Sequence, residues 1–168
     1  MTPVTIAGAG PGNPDLLTLG TLRAIQTADV VVHDRLISPD ILALIPATTT
    51  RIDAGKEGFG PSTPQAAIHA AMIDAARTGA RVLRLKAGDP AIFARLDEEL
   101  DALDAAGIPW TILPGLTAAS AAAAALGQSL TARGRNGALT ILTGHDMAGF
   151  AEQDWRALAR PGARRTAG

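Results

Sequence analysis

The stretch that decides the fold is Arg84-Leu-Lys-Ala-Gly-Asp-Pro-Ala-Ile-Phe-Ala-Arg95. The apolar run over 81–86 predicts a buried strand, and a helix is predicted to begin at Pro90, a residue that favours the first helical position. A strand that breaks at Gly88-Asp89 and turns directly into a helix leaves backbone N–H groups, a carboxylate and a permissive glycine at the carboxyl end of a sheet. In parallel α/β proteins, ligands bind at that edge.

Strands and helices alternate on both sides of this stretch, with short connections. That alternation predicts an α/β fold in which a parallel five-stranded sheet is covered by helices on both faces. Right-handed crossovers then bring the loops that follow the strands to one edge. The other predicted strands cover 3–10, 28–33, 48–52 and 108–113, and the predicted helices include 38–45, 63–79 and the alanine-rich stretch 114–127.

A polar, basic break after Gly127 indicates a domain boundary. We predict a first α/β domain over 1–127, a linker over 128–136 and the incomplete start of a second domain over 137–168. The last part would hold one strand, 138–143, and one helical turn, 155–159. So few elements cannot form a core of their own.

Composition excludes several classes of function. The chain has 168 residues, of which 47% are apolar, and a formal net charge of −1. With so little charge, neither nucleic acid nor a membrane surface is an expected partner. The expected partner is a small molecule. It contains no cysteine, which rules out disulfide and thiolate chemistry. With no signal-like segment and no apolar run of membrane-spanning length, the predicted location is the cytoplasm.

The glycines of Gly8-Ala-Gly-Pro-Gly12 first suggest a dinucleotide-binding turn, with Asp34 as the ribose-binding acid. The spacing argues against it, because the third glycine of that motif would fall on Asn13. Pro11 also lacks the N–H that a pyrophosphate would use. Binding of NAD and a purely structural turn stay open as alternatives, with NAD disfavoured.

Asp34 and Lys56 each follow a predicted strand, so both can reach the ligand edge, where a carboxylate and an ammonium can act as base and acid. An ordinary salt bridge is the competing interpretation. Asp89 could cap the helix predicted at Pro90 or bind a ligand hydroxyl or amine. Thr117-Ala118 opens the alanine helix, where N–H groups could face a carboxylate or an adenine edge, or simply be capped.

The remaining polar residues carry weaker signals. A group of basic residues could attract a polyanionic small substrate, although scattered arginines usually lie on the surface. The histidines share no metal-ligand spacing and are interpreted as structural, so no metal is predicted. The basic group is Arg35, Lys86, Arg95, Arg133 and Arg135, and the histidines are His33, His69 and His145.

Taken together, five motifs in order between residues 4 and 118 resemble the tetrapyrrole methylase family. The Asp-Arg-Leu-Ile-Ser segment and the Gly-Lys pair are most similar to the uroporphyrinogen-III C-methyltransferase branch. The motifs are Val4-Thr-Ile-Ala-Gly-Ala-Gly-Pro-Gly-Asn-Pro-Asp-Leu-Leu-Thr18, Ala28-Asp-Val-Val-Val-His-Asp-Arg-Leu-Ile-Ser38, Gly55-Lys56, Arg84-Leu-Lys-Ala-Gly-Asp-Pro90 and Pro114-Gly-Leu-Thr-Ala118.

The resemblance implies a two-domain enzyme that binds S-adenosylmethionine between its domains. The implied reaction methylates uroporphyrinogen III to precorrin-2, by way of precorrin-1, for sirohaem and cobalamin synthesis, and the implied assembly is a homodimer. Asp34 matches the family's proton acceptor and Lys56 its proton donor. The matching S-adenosylmethionine contacts are Pro11, Ala87, Gly88, Asp89, Ile92, Thr117 and Ala118.

The chain departs from the family pattern in two regions. The family has a second glycine where this chain has Ala87, and a glycine-rich run where this chain has the helical-looking 94–99. Family members also continue through a whole second domain, so we expect a truncated version whose first domain folds and whose ligand affinity and turnover are poor or absent. A non-catalytic binding fragment and a methylase for a later cobalamin precursor are the alternatives.

Overall fold

The computed structural model describes residues 2–54, 64–134, 138–143, 145–146, 149–150, 154 and 156. Its centre is a five-stranded, wholly parallel sheet with strand order β3-β2-β4-β1-β5. The predicted fold class is thereby confirmed. The strands are β1 (Val4–Gly8), β2 (Val30–His33), β3 (Thr50–Asp53), β4 (Val82–Lys86) and β5 (Trp110–Leu113).

Helices cover both faces of this sheet, as the alternating pattern predicts. The helix residues Ile25 and Ile41 pack into the core on one face, and Met72 and Leu103 pack into the core on the other. All four side chains are fully buried at 0% exposure, so both faces carry a closed hydrophobic layer. After a 3-10 turn at Pro14–Leu16, the helices are α1 (Leu19–Thr27), α2 (Pro39–Leu42), α3 (Gln65–Arg77), α4 (Leu96–Ala105) and α5 (Ala118–Ala125).

The helix predicted to begin at Pro90 begins at Leu96 instead, so that prediction is wrong. One turn forms after Asp89, closed by the Ile92 N–H donating to the Asp89 carbonyl at 3.1 Å. It cannot continue, because Phe93 and Arg95 adopt left-handed backbone angles, with φ of 49° and 53°. The regular helix α4 starts at Leu96, and three acidic residues lie in its first turn. Their negative charges stabilise the positive N-terminal end of the helix dipole.

The contacts of the backbone divide the chain into two units, Met1–Ala121 and Ala122–Gly168. The strand predicted over 138–143 does not form in the second unit, where Leu139 and Ile141 are exposed, because an apolar run becomes a strand only beside a pairing partner. Its described strands are β6 (His145–Asp146) and β7 (Gly149–Phe150), paired antiparallel. Apart from Arg156, the turn predicted over 155–159 lies outside the described residues, and the linker over 128–136 stays a prediction.

Across the described ranges, no helix combines the length and the apolar character that crossing a membrane requires.

Candidate cofactor and active site

Three glycines bring the loops after β1, β4 and β5 into backbone contact. A Cβ atom placed on Gly8 would lie 2.5 Å from the Gly88 carbonyl oxygen and 2.6 Å from the Gly115 Cα. A Cβ placed on Gly115 would lie 2.0 Å from the same Gly88 oxygen. No side chain fits at these positions, so the three strand ends meet at a distance that only glycine permits.

Backbone hydrogen bonds fix the β1 and β4 loops to each other. Gly10 and Gly88 exchange both bonds, with the Gly10 N–H donating at 3.1 Å and the Gly88 N–H at 2.9 Å. Both residues have a φ near the left-handed region, 68° and 67°, which explains why glycine is required at each. Pro11 follows Gly10 directly and is exposed beside this junction. The first glycine motif thus forms a tight turn that contacts the β4 loop.

Asp89 connects the β4 loop to the β5 loop. Its Oδ1 accepts from the Ala91 N–H at 2.8 Å and its Oδ2 from the Gly115 N–H at 3.1 Å. The carboxylate therefore stabilises a turn and a loop–loop contact, and it caps no regular helix. Thr117 and Ala118 lie two and three residues after Gly115, where the Thr117 hydroxyl accepts from the Ser120 N–H at 3.3 Å at the start of α5.

The structure therefore brings together most of the residues that the sequence singled out as cofactor contacts. Pro11 comes from the β1 loop, Ala87, Gly88 and Asp89 from the β4 loop, and Thr117 and Ala118 from the β5 loop. Ile92 is half-buried in the turn after Asp89. Their role as S-adenosylmethionine contacts stays a prediction.

Asp34 lies directly after β2, beside the end of β4. Its N–H donates to the Leu85 carbonyl at 3.1 Å, and its Oδ1 accepts from Nη2 of Arg84 at 2.5 Å. The side chain is 31% exposed, so the carboxylate is paired and still open to solvent on one side. Lys56, the other residue predicted as catalytic, lies outside the described residues.

Next to Asp34 lies a buried ion cluster, which consists of Arg84 and Lys86 from β4 and Glu99 from α4. Oε1 of Glu99 accepts from Nε of Arg84 at 3.0 Å and from Nζ of Lys86 at 2.7 Å. All three side chains are at most 3% exposed. With the partly exposed Asp34, the group holds two cations and two carboxylates, so its charges balance.

Burial lowers the pKa of the Lys86 ammonium, and the positive charge of Arg84 lowers it further, while Glu99 and Asp34 oppose the shift. Lys86 is thus not the surface cation that the sequence suggested for a polyanionic substrate. Arg95, another member of that basic group, pairs with Glu98 at 2.6 Å on the surface of α4.

Sequence reasoning missed Glu99, although a signal was present. Glu99 is three residues after Leu96 and four before Leu103, a position on the buried stripe of α4. Arg84 and Lys86 are two residues apart in a fully buried strand, so they point to the same face. A carboxylate on an apolar stripe and two cations on one strand face indicate a buried ion cluster.

No group of three or more metal-ligating side chains is found in the parts of the chain that the structure describes. The glycine junction and Asp34 follow strands of the same parallel sheet and so lie at its carboxyl edge. Such an edge can hold a small polar cofactor, and a partly exposed carboxylate next to it can accept a proton.

Comparisons with known proteins agree with this geometry. Residues 3–165 match the family model described as Tetrapyrrole (Corrin/Porphyrin) Methylases. Siroheme synthase 1 of Aeromonas hydrophila is 49% identical over 158 residues, which cover 94% of this chain and 34% of that protein. The siroheme synthase of Methylococcus capsulatus is 50% identical over 159 residues, with the same two coverages. The chain thus spans about a third of the length of these curated relatives.

Solved structures give the same picture. The uroporphyrin-III-C-methyltransferase of Thermus thermophilus is 46% identical with a TM-score of 0.69, covering 79% of this chain and 56% of that one. A structure of the Thermus thermophilus enzyme complexed with S-adenyl homocysteine is 35% identical with a TM-score of 0.73, covering 89% and 59%. Cobalt precorrin-4 methyltransferase, a cobalamin biosynthetic enzyme, is 34% identical with a TM-score of 0.69, covering 77% and 52%.

Proposed function

This chain belongs to the tetrapyrrole methylase family, and from that membership we propose that it transfers methyl groups from S-adenosylmethionine to two pyrrole carbons of uroporphyrinogen III. The product of the first transfer is precorrin-1 and that of the second is precorrin-2. The reaction belongs to sirohaem and cobalamin synthesis, the pathways named for its relatives. A homodimer is part of the same proposal.

The observation that carries the proposal is the glycine junction of Gly8, Gly88 and Gly115, at the same carboxyl edge of the sheet as Asp34. Three strand ends meet there at backbone distance, at the carboxyl edge of the parallel sheet, and ligands of parallel α/β proteins bind at that edge. Asp89 stabilises the same junction by two hydrogen bonds. A thioether relative of S-adenosylmethionine, S-adenyl homocysteine, is the ligand named for a structural neighbour.

In the proposed step, a pyrrole carbon attacks the sulfonium methyl. The new C–C bond forms as the C–S bond breaks, and the electron pair stays on sulfur to give S-adenosylhomocysteine. The methylated ring must then lose one proton. We assign that proton to the Asp34 carboxylate, which is partly exposed at this edge, and keep Lys56 as the proposed proton donor.

The test combines ligand binding with turnover. S-adenosylhomocysteine at high concentration is expected to raise the midpoint of thermal unfolding, because a ligand that binds only the folded state stabilises it. With S-adenosylmethionine and uroporphyrinogen III, the chain should form precorrin-2, detected by absorbance and mass. Asp34→Asn should slow this turnover roughly 100–10,000-fold while the midpoint shift remains. A melt that S-adenosylhomocysteine does not move would contradict the cofactor assignment.

A methylase for a later cobalamin precursor is the second candidate, because cobalt precorrin-4 methyltransferase shares the fold at 34% identity. Offering the chain precorrin-4 in parallel with uroporphyrinogen III separates the two. Methylation of precorrin-4 alone would replace the first proposal.

A further inference from the structure

The buried ion cluster has no part in the proposed step, and yet it reaches the proposed base. Arg84 donates from Nε to Glu99 at 3.0 Å and from Nη2 to Asp34 at 2.5 Å. A guanidinium is planar and rigid, so a bond that fixes Nε also fixes the direction of Nη2. The placement of the Asp34 carboxylate thus depends on a second carboxylate on the far side of Arg84.

We propose that Glu99 is a positioning residue, which holds Arg84 in one orientation and thereby places the Asp34 carboxylate for proton removal. The inference rests on the proposed function, because it gives Glu99 a part in that same reaction. Glu99 acts only through Arg84, and it touches neither cofactor nor substrate.

The position of Glu99 in the fold supports this role. Its side chain is 0% exposed on the buried stripe of α4, where Leu103 occupies the next equivalent position. Apolar side chains in place of all three charged residues would pack as well, since a buried ion cluster gives little net stability compared with apolar side chains of similar size. What the charge adds is orientation, because a carboxylate oxygen accepts from Arg84 in one direction.

Glu99 also holds the strand end that leads into the glycine junction. Lys86 is the last residue of β4 and donates to the same Glu99 oxygen at 2.7 Å. Its carbonyl accepts from the Ala9 N–H at 2.7 Å, next to the junction with the β1 loop. One carboxylate therefore anchors both the base and the approach to the proposed cofactor loop.

The first measurement is spectroscopic and needs no turnover. The ¹³C signal of the Asp34 carboxyl, assigned by its absence in Asp34→Asn, is recorded in the full chain at neutral pH. In Glu99→Gln it should move by more than its linewidth, because a neutral amide oxygen holds the Arg84 Nε–H more weakly than a carboxylate does. Asp101→Asn removes an exposed carboxylate from the same helix and should leave the signal in place.

A second variant guards against failure to fold. Glu99→Gln leaves one buried cation uncompensated. Lys86→Met combined with Glu99→Gln removes one charge of each sign, so that the remaining pair of Arg84 and Asp34 is neutral. The Asp34 signal should move in this paired variant too. A folded variant whose Asp34 signal stays at the wild-type position would overturn the positioning role. If Glu99 were merely structural, its loss would lower the melting temperature and leave the Asp34 signal in place.

Turnover separates this inference from the proposed function. Glu99→Gln should lower kcat roughly 10–100-fold with KM unchanged, the scale expected for a misplaced catalytic group. In an Asp34→Asn background it should cause no further loss, whereas a further loss would contradict action through Asp34. Wild-type turnover in Asp34→Asn, or no turnover by the chain at all, counts against the proposed function, and the carboxyl signal still decides the positioning.

Discussion

Substituting Gly115 by alanine is the sharpest test of the glycine junction. The new Cβ would lie 2.0 Å from the Gly88 carbonyl oxygen and 2.8 Å from the Gly8 Cα. Both neighbours are backbone atoms, so neither can rotate away as a side chain would. Because Cβ atoms essentially never approach closer than 3.0 Å, the β5 loop and the β4 loop must separate by at least 1.0 Å.

That separation removes contacts that the structure specifies. Gly88 accepts from the Gly10 N–H at 3.1 Å, and Gly115 donates to Asp89 at 3.1 Å. Loss of two such bonds costs about 1–3 kcal/mol, and overpacking of a tight contact costs about 1–3 kcal/mol more. We therefore expect Gly115→Ala to lower the free energy of unfolding by about 2–6 kcal/mol and the melting temperature by roughly 2–4 °C for each kcal/mol.

Urea and thermal unfolding, each with and without S-adenosylhomocysteine, measure both effects. We expect the variant to lose stability and the ligand-induced rise of the midpoint together, because the junction is the proposed binding edge. Gly20→Ala is the matched control. Gly20 lies in α1, and a Cβ there would meet Leu113 at 3.7 Å, an ordinary van der Waals distance. Because alanine favours a helix over glycine, this variant should be more stable by about 0.5–1 kcal/mol. A Gly115→Ala chain as stable as the wild type would refute the reasoning.

Three further predictions address the loops and the sheet. Ser38→Ala removes the N-cap of α2 and the hydrogen bond from Ser38 to the Gly12 carbonyl at 2.6 Å. It should lower the free energy of unfolding, measured in urea, by about 1–2 kcal/mol. An unchanged urea midpoint would contradict this prediction. Hydrogen bonds from Arg81 lower the pKa of Asp29 from 3.8 to about 2. The stability that this pair contributes is present above the unfolded-state pKa of Asp29 and is lost as the pH falls from about 4 to about 2. Between pH 5 and pH 2, the wild type should therefore lose more stability than Asp29→Asn. Equal losses in the two chains would contradict the prediction. Asp89→Asn keeps one carbonyl acceptor for two backbone N–H groups, so it should cost about 1–3 kcal/mol and weaken the S-adenosylhomocysteine effect, which thermal melts would detect.

Much of the fold followed from local patterns along the chain. Buried apolar runs that alternate with amphipathic stretches predict a parallel sheet with helices on both faces. The hydrophobic period of each stretch and the short connections allow few other arrangements. The start of α4 was misplaced by six residues, since Pro90 is a favourable first helical residue and the left-handed angles at Phe93 and Arg95 leave no mark in the sequence. The strand predicted over 138–143 does not form, because an apolar run becomes a strand only where another strand pairs with it.

The sequence by itself determined which residues meet at the ligand edge. Glycines, Asp34 and Asp89 follow strands, and a parallel sheet brings all strand ends to one side. Only the tertiary structure decided how closely the loops approach and which charges are buried together. Backbone contact between Gly8, Gly88 and Gly115, and the cluster that joins Glu99 to Asp34 through Arg84, depend on the order and spacing of strands far apart in the chain. Such distances result from packing, which no local pattern encodes.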